Sequence, residues 1–270
     1  MEIIIYVLIF IMGAFFGSFF TLAVYRIPLG LDILYEHSFC PNCNTKLKMK
    51  DLIPIISYIS VGGKCRYCKE KIRIRYLLLE ILSGTVFLVL ALSLKLNILN
   101  LTVNEIICFL FSICYIASLF IIAGIDKEKI QIQKSVLLFN LILSVLFMIY
   151  VCISKSGQVI YTYIILLALS ILLLTLDIWF LKKNLHENYT IEILALSLGM
   201  IVFSGAEVYY YTVAIAFLLI GLKGIFNKIT TIKKRKAVIN TDRNKELKIP
   251  VAFYMSIANI FLIIIYNFLR

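Results

Sequence analysis

The chain has 270 residues and a net charge of +12; 62% of its residues are hydrophobic, 16% are charged and only four are proline. Soluble globular chains run at about 45–50% apolar and about 25% charged, so this composition excludes a soluble enzyme, a disordered chain and a secreted disulfide scaffold. It reads as a polytopic membrane protein, in which a basic balance reports cytoplasmic loops rather than nucleic acid.

A helix needs about 20 mostly apolar residues to cross the hydrocarbon core. In chain order the candidates are 3–24, 77–95, 106–125, 135–154, 159–181, 189–204, 207–222 and 249–269, eight in all. The first span begins Met1-Glu2-Ile3 without a basic stretch before it, so it reads as a retained anchor rather than a cleavable signal. Within it, Gly13 and Gly17 of GAFFGSFF form a small-xxx-small face suited to close helix packing. The sixth and seventh spans are short and meet around Gly205.

The basic residues orient these spans. With the N-terminus outside, the loop 25–76 lies inside with ten Lys/Arg, the junction 126–134 with three, 182–188 with two and 223–248 with nine. Only Lys95, Lys155 and Arg270 then fall outside. A seven-span chain would set the run Lys233–Lys236 opposite the basic loop 25–76, against the positive-inside rule. The loop 25–76 is the one segment large enough for a small subdomain. The segment 223–248 reads as a solvated basic connector that touches anionic lipid. No internal repeat is visible.

The cysteines fall into two groups. Cys108, Cys114 and Cys152 lie in apolar spans and read as small buried hydrophobes. Cys40-x2-Cys43 and Cys65-x2-Cys68 lie in the first loop with 21 residues between the pairs. Each pair offers two thiolates to one ion, and two such knuckles complete a tetrahedral four-sulfur site. A cytoplasmic loop disfavours disulfides, and a loop too short for a large core gains folding energy from a metal. Four thiolates leave no open position, so the expected zinc is structural. Two reduced pairs without metal, or a redox pair, are the alternatives.

Ionisable groups in spans are rare and usually functional. Here they are Glu80, Asp126, Asp177, Glu192 and Glu207. Glu80 follows Arg73 and Arg75 and is expected to pair with one of them. Asp126, Asp177 and Glu192 can converge at one depth on one side of the membrane. Two close carboxylates cannot both ionise cheaply, so one holds a proton. The ionised member activates water and the protonated one polarises a carbonyl, which is peptide hydrolysis of the aspartyl type.

Several of these stretches resemble one family, the type 4 prepilin leader peptidases of bacteria. GSFFTLAVYRIP (17–28) is similar to the family's opening GSF-N-V-YRLP pattern. The loop CPNC…DLIPIISYISVGGKCRYCKEKIRIRYLLLEILSG (40–84) resembles the family's hallmark loop, with the cysteine pairs, Asp51, Pro54, Tyr58, Gly63, Arg75-Tyr76 and Glu80 in register. IDKEKIQIQ (125–133) resembles the segment that carries the first catalytic aspartate, which gives Asp126 that role. The last span resembles the family's closing IPFGPFLALG helix. The resemblance implies removal of the short basic leader from type IV prepilin or pseudopilin precursors at the cytoplasmic face. It further implies N-methylation of the new N-terminus with S-adenosylmethionine, and a bacterial plasma-membrane location.

The sequence departs from the family at one decisive point. The family's second catalytic aspartate sits in a GxGD motif, and no GxGD is present in this chain. The corresponding region reads NLHENYTIEILALSLGMIVFSG (184–205), and the aspartate would fall at Thr190 or Ile191. Glu192 is the nearest stand-in, with Glu187 and Asp177 as others. In addition, Gln133 and Lys134 follow Asp126 where the family often has Pro-Asp. The reading is thus an all-α polytopic membrane protein of about eight transmembrane helices, with a small cytoplasmic zinc-ribbon-like loop. Its parts are a first span (1–24), the CxxC loop (25–76) and a seven-span peptidase-like domain (77–270). Asp126 and Glu192 are the expected catalytic pair, and Cys40, Cys43, Cys65 and Cys68 the metal ligands. The expected partners are prepilin-like precursors and the lipid bilayer, with no nucleic acid. The alternatives are a degenerate homologue that binds clients or assembly components without cutting, a zinc-dependent scaffold and, from another class, a membrane transporter. The transporter lacks paired interrupted spans and would leave the CxxC loop unexplained.

Overall fold

The computed structural model describes residues 2–33, 37–96, 101–154, 188–235 and 249–270. The helices are α1 (Glu2–Arg26), α2 (Ile56–Ser60), α3 (Arg75–Ser93), α4 (Val103–Lys129), α5 (Lys134–Ser154), α6 (Asn188–Ser204), α7 (Ala206–Arg235) and α8 (Val251–Leu269). Among the described residues there is no strand, only isolated bridges in the first loop. Six of these helices are long and apolar enough to cross a membrane, and α6 is a shorter apolar one. The expected span 159–181 lies outside the described residues.

The described chain divides into two compact units: Met1–Ala117 with Asn267–Arg270, and Ser118–Tyr266. In the first, α1 and α3 lie in close contact. A Cβ added to Gly13 would stand 2.8 Å from the Ser83 carbonyl oxygen, and one on Gly17 would stand 2.8 Å from the Glu80 Cα. Gly84 answers from α3, where a Cβ would come within 2.9 Å of the Phe10 carbonyl oxygen. The small-xxx-small face therefore packs backbone against backbone. Above it, the Phe16 and Phe87 rings meet at 5.5 Å between centroids.

In the second unit the helices are joined by buried polar clasps. The Asn140 amide on α5 donates to the Ser118 hydroxyl on α4 at 2.7 Å. Its oxygen leaves no room for a side chain at Gly199 on α6. The Asn259 amide on α8 donates to Thr212 on α7 at 3.0 Å and to Ser204 on α6 at 3.3 Å. Clasps of this kind contribute on average about 0.6 kcal/mol each in a bilayer.

Gly205 alone connects α6 to α7, with φ at +85°. A residue with a Cβ would be strained there, which is why the apolar run 189–222 makes two helices. The basic connector expected at 223–248 is instead helical as far as Arg235. No helix breaker follows Gly224, and Lys and Arg are good helix formers. At about 1.5 Å per residue, the 30 residues of α7 reach about 45 Å, longer than the hydrocarbon core of about 30 Å. Its charged end therefore extends beyond the bilayer.

The α1–α3 contact gives a direct test. Gly17→Ala is expected to destabilise the protein by about 1–3 kcal/mol through overpacking. Gly221→Ala, at a helix-interior glycine with open space around it, should instead raise stability, by up to about 1 kcal/mol. Thermal unfolding of both variants in detergent checks this.

Candidate functional site

The four loop cysteines come together. Their sulfur atoms all lie within 4.8 Å of one another, and the Cys40 and Cys68 Sγ atoms are 3.9 Å apart. A tetrahedron built on Zn–S bonds of about 2.3 Å has edges of about 3.8 Å, so the donor set fits one zinc ion. All seven cysteines are free thiols.

The two knuckles share one backbone pattern. In the first, the Cys40 N–H donates to the Thr45 carbonyl and the Asn44 N–H to the Cys40 carbonyl. In the second, the Cys65 N–H donates to Glu70 and the Lys69 N–H to Cys65. A bridge flanks each, Phe39 with Lys46 and Lys64 with Lys71. The fourth residue after each leading cysteine is left-handed, Asn44 at φ +54° and Lys69 at φ +63°. This is a structural repeat that the sequence hides, because only the cysteines and the closing lysine match.

The surroundings favour thiolates at two of the four ligands. The Thr45 hydroxyl and N–H hold the Cys43 thiol down to about 6. The Cys68 and Tyr67 N–H groups hold Cys65 below its ordinary value. Burial pushes Cys40 up to about 11, so a metal ion must displace that proton on binding. The Asn42 amide also points at the Cys68 sulfur, 3.7 Å away. Zinc bound here would cross-link two segments of the loop and perform no chemistry of its own.

Three polar side chains brace this loop. Asp51 accepts from the Arg66 guanidinium at 2.7 Å, the Tyr67 hydroxyl at 3.0 Å and the Lys48 N–H at 3.2 Å. Desolvation works to raise its carboxyl, but these donors, Arg66 foremost, hold it below the usual carboxylate range. The second brace is Glu80, expected to pair with an arginine. The partner the structure gives its buried carboxylate is the Ile55 N–H, at 2.7 Å. The third, Arg26, closes α1 and is buried. It donates to the carbonyls of Asp32 at 2.9 Å and His37 at 3.2 Å. Sequence reasoning passed over Arg26; a lone arginine ending an apolar helix was the available signal.

Asp126 lies near the end of α4 with no exposed surface. Its Oδ1 accepts the Tyr189 hydroxyl at 2.7 Å, and its Oδ2 accepts the Phe253 N–H at 2.8 Å. The Tyr189 hydroxyl in turn accepts the Val251 N–H at 3.0 Å. Pro250 precedes α8, so Asp126 and Tyr189 satisfy the first-turn donors of that helix. The Lys127 ammonium stands 4.9 Å from the centre of the Phe253 ring.

Glu192 takes different partners: the Ile132 N–H, with the Lys134 charge nearby. It sits three residues after Tyr189 on α6, and hence on the same side of the helix. Asp177 and Glu187 lie outside the described residues. Glu207 is exposed in the first turn of α7. Tyr189 is the residue that sequence reasoning missed, although it stands one position before the expected site of the missing aspartate.

Comparison with known proteins places this loop. Residues 11–94 match the model of the Bacterial Peptidase A24 N-terminal domain. The chain is 34% identical over 85 residues to the prepilin leader peptidase/N-methyltransferase of Klebsiella pneumoniae, covering 29% of this chain and 37% of that protein. It is 35% identical over 89 residues to that of Vibrio cholerae, covering 30% and 35%. With that of Bacillus subtilis it is 39% identical over 80 residues, covering 30% and 32%. Through its N-terminal third, the chain is similar to the prepilin leader peptidases. These matches span about a third of the relatives' own length. The matched domain contains the four cysteines, Asp51 and Glu80, whereas Asp126, Tyr189 and Glu192 lie beyond it. No solved structure matches.

Three outcomes are expected. The purified protein should carry one zinc per chain by elemental analysis, and Cys40→Ser with Cys65→Ser should abolish it. Stripping the zinc with a chelator should expose residues 40–71 to protease. Separately, Tyr189→Phe should cost about 1–3 kcal/mol in thermal unfolding, because it leaves the Val251 N–H and a lone pair of Asp126 unsatisfied.

Proposed function

We propose that this protein is a bacterial membrane endopeptidase that removes the leader from prepilin-like precursors. The observation that carries this reading is the match of residues 11–94, with the four-cysteine loop inside it, to relatives named prepilin leader peptidase/N-methyltransferase. The charge bias of the loops supports a cytoplasmic position for the loop 25–76 and, separately, for the junction that follows Asp126. A precursor would lay its own apolar helix along the membrane helices and present the scissile bond at that surface.

In this reading Asp126 supplies one carboxylate and Glu192 the second. The ionised member takes a proton from water as the water attacks the scissile carbonyl. The protonated member donates to the carbonyl oxygen; the proton taken from water then passes to the leaving amine, and the first carboxylate regains its proton from the hydroxyl of the collapsing tetrahedral intermediate. Both Asp126 oxygens already accept hydrogen bonds, so the precursor or its water must displace the Tyr189 hydroxyl or share an oxygen with it. The relatives' names add N-methyltransferase activity, for which this reading takes S-adenosylmethionine as the methyl donor.

The second reading is a homologue that binds precursors or assembly components without cutting them. The observation that favours it is the partner of Asp126, which is a tyrosine rather than a carboxylate.

A cleavage assay separates the two readings. The protein is co-expressed with a pilin-like precursor, and loss of the leader is followed by mass spectrometry. A peptidase cuts as wild type, and Asp126→Asn, which keeps an acceptor for the Phe253 N–H, loses about 100-fold or more in rate. Glu192→Gln falls equally if Glu192 is the second carboxylate, and Asp177→Asn falls in its place if that residue serves. An intact precursor that co-purifies with the wild-type protein supports the binding factor.

A further inference from the structure

The short helix α2 presents an apolar face that the cleavage reading does not use. Ile56 is 64% exposed and Ile59 66%, on one side of the helix. Ile53 before them and Met49 beyond are also exposed. The opposite side carries Tyr58, whose ring lies against Gly63 and whose hydroxyl donates to the Ile72 carbonyl at 3.4 Å. The helix is thus held to the loop by Tyr58 and turns its isoleucines outward.

The height of this face is fixed by one hydrogen bond. Glu80 lies five residues into α3, about 7.5 Å along the axis from its first residue. It packs against Gly17 of α1, and its carboxylate holds the Ile55 N–H. Ile55 itself has a positive φ of +63° with ψ at −54°, the centre of a γ-turn closed from the Ile56 N–H to the Pro54 carbonyl, which turns the chain sharply just before α2. The start of α2 is therefore tied beside the first turns of α3. Amphipathic segments that lie in a membrane surface bury their apolar face about 5–10 Å into the headgroup and acyl boundary, which an exposed face tied to the first turns of a membrane helix can reach. Residues 46–75 carry nine Lys/Arg against two acids, which complements an anionic leaflet.

We propose that residues Ile53–Ser60 form an interfacial anchor. The Ile53, Ile56 and Ile59 face enters the acyl boundary of an anionic leaflet, while the surrounding lysines and arginines meet the lipid headgroups. The anchor fixes the metal loop flat against the membrane rather than leaving it free in water. This inference rests on the membrane placement of α1 and α3 and does not depend on the chain being a peptidase.

The test is depth-dependent fluorescence quenching on the full-length protein. The chain has a single tryptophan, Trp179, so Trp179→Phe gives a dark background. Tryptophan is then introduced as Ile56→Trp, as Ile59→Trp and, as an exposed control, as Lys64→Trp. Each variant is reconstituted in phosphatidylcholine vesicles with brominated acyl chains, with and without about a third phosphatidylglycerol. At positions 56 and 59, quenching by brominated lipid is expected to exceed that at 64 by about threefold or more, and to rise with the anionic lipid. Zinc content reports that each variant is folded, and the second isoleucine position answers if the first loses the metal. The proposal is overturned if positions 56 and 59 are quenched by aqueous acrylamide as readily as position 64. It is equally overturned if neither lipid nor acrylamide reaches them, which would mean that a protein covers the face.

Discussion

A carboxylate with no exposed surface at the end of a membrane helix is costly unless every lone pair that faces protein is used. Asp126 meets that condition by closing the start of another helix. α8 begins after a proline, and its first N–H groups have no acceptor within the helix. Asp126 takes the Phe253 N–H, while Tyr189 takes the Val251 N–H and donates to Asp126. One interaction set therefore satisfies two problems at once, an orphaned helix start and a buried charge, and it ties α4, α6 and α8 together. The positive end of the α8 dipole adds to the attraction. Glu192, three residues further along α6, lies beside the Ile132 N–H in the link between α4 and α5. Both oxygens of Asp126 are thus spent, one on a backbone donor and one on the Tyr189 hydroxyl.

The first loop follows a different logic. It holds few buried apolar residues beyond Cys40 and Cys65, so the hydrophobic effect cannot fold it alone. Its order comes from cross-links: the cysteine cluster, the Asp51–Arg66 ion pair, and the ties from Arg26 and Glu80 to backbone groups. The last two reach the loop from α1 and α3, so the membrane helices act as the loop's scaffold. A metal ion at the cysteines would add a far stronger link between the two knuckles than the Asn42–Cys68 contact that already joins them.

Much of this was legible in the sequence, for identifiable reasons. The spans follow from composition, and the cysteine cluster from a spacing that suits one ion. The Gly13/Gly17 face follows from the need for small residues where helices touch. The illegible parts are those in which a side chain meets a distant backbone group. Glu80 has arginines close by in sequence, and nothing local signals that Ile55 would take a positive φ to reach it. Tyr189 at the start of an apolar helix looks like an ordinary interfacial aromatic. Its role depends on Asp126, 63 residues away, and on the start of α8. The helical extension of α7 was hidden because a basic, polar stretch reads as a loop when only hydropathy is weighed.

The tyrosine beside Asp126 also bears on chemistry. In a carboxylate dyad either member can carry the shared proton, so one can accept from water while the other donates to the carbonyl. A phenol, with an ordinary pKa of about 10, keeps its proton at neutral pH and cannot accept a second one from water. Tyr189 can therefore orient Asp126 or donate to an oxygen, but it cannot replace a second carboxylate. Hydrolysis then requires an acidic group to reach the same water. Glu192 is on the correct side of α6, yet it must first release the Ile132 N–H and move away from Lys134. Such a move loosens the link that follows α4, the segment on which Asp126 itself is carried. Cutting and holding the ground-state structure thus compete for the same two carboxylates. A chain that retained the closed arrangement would keep the shape of the enzyme and give up its chemistry.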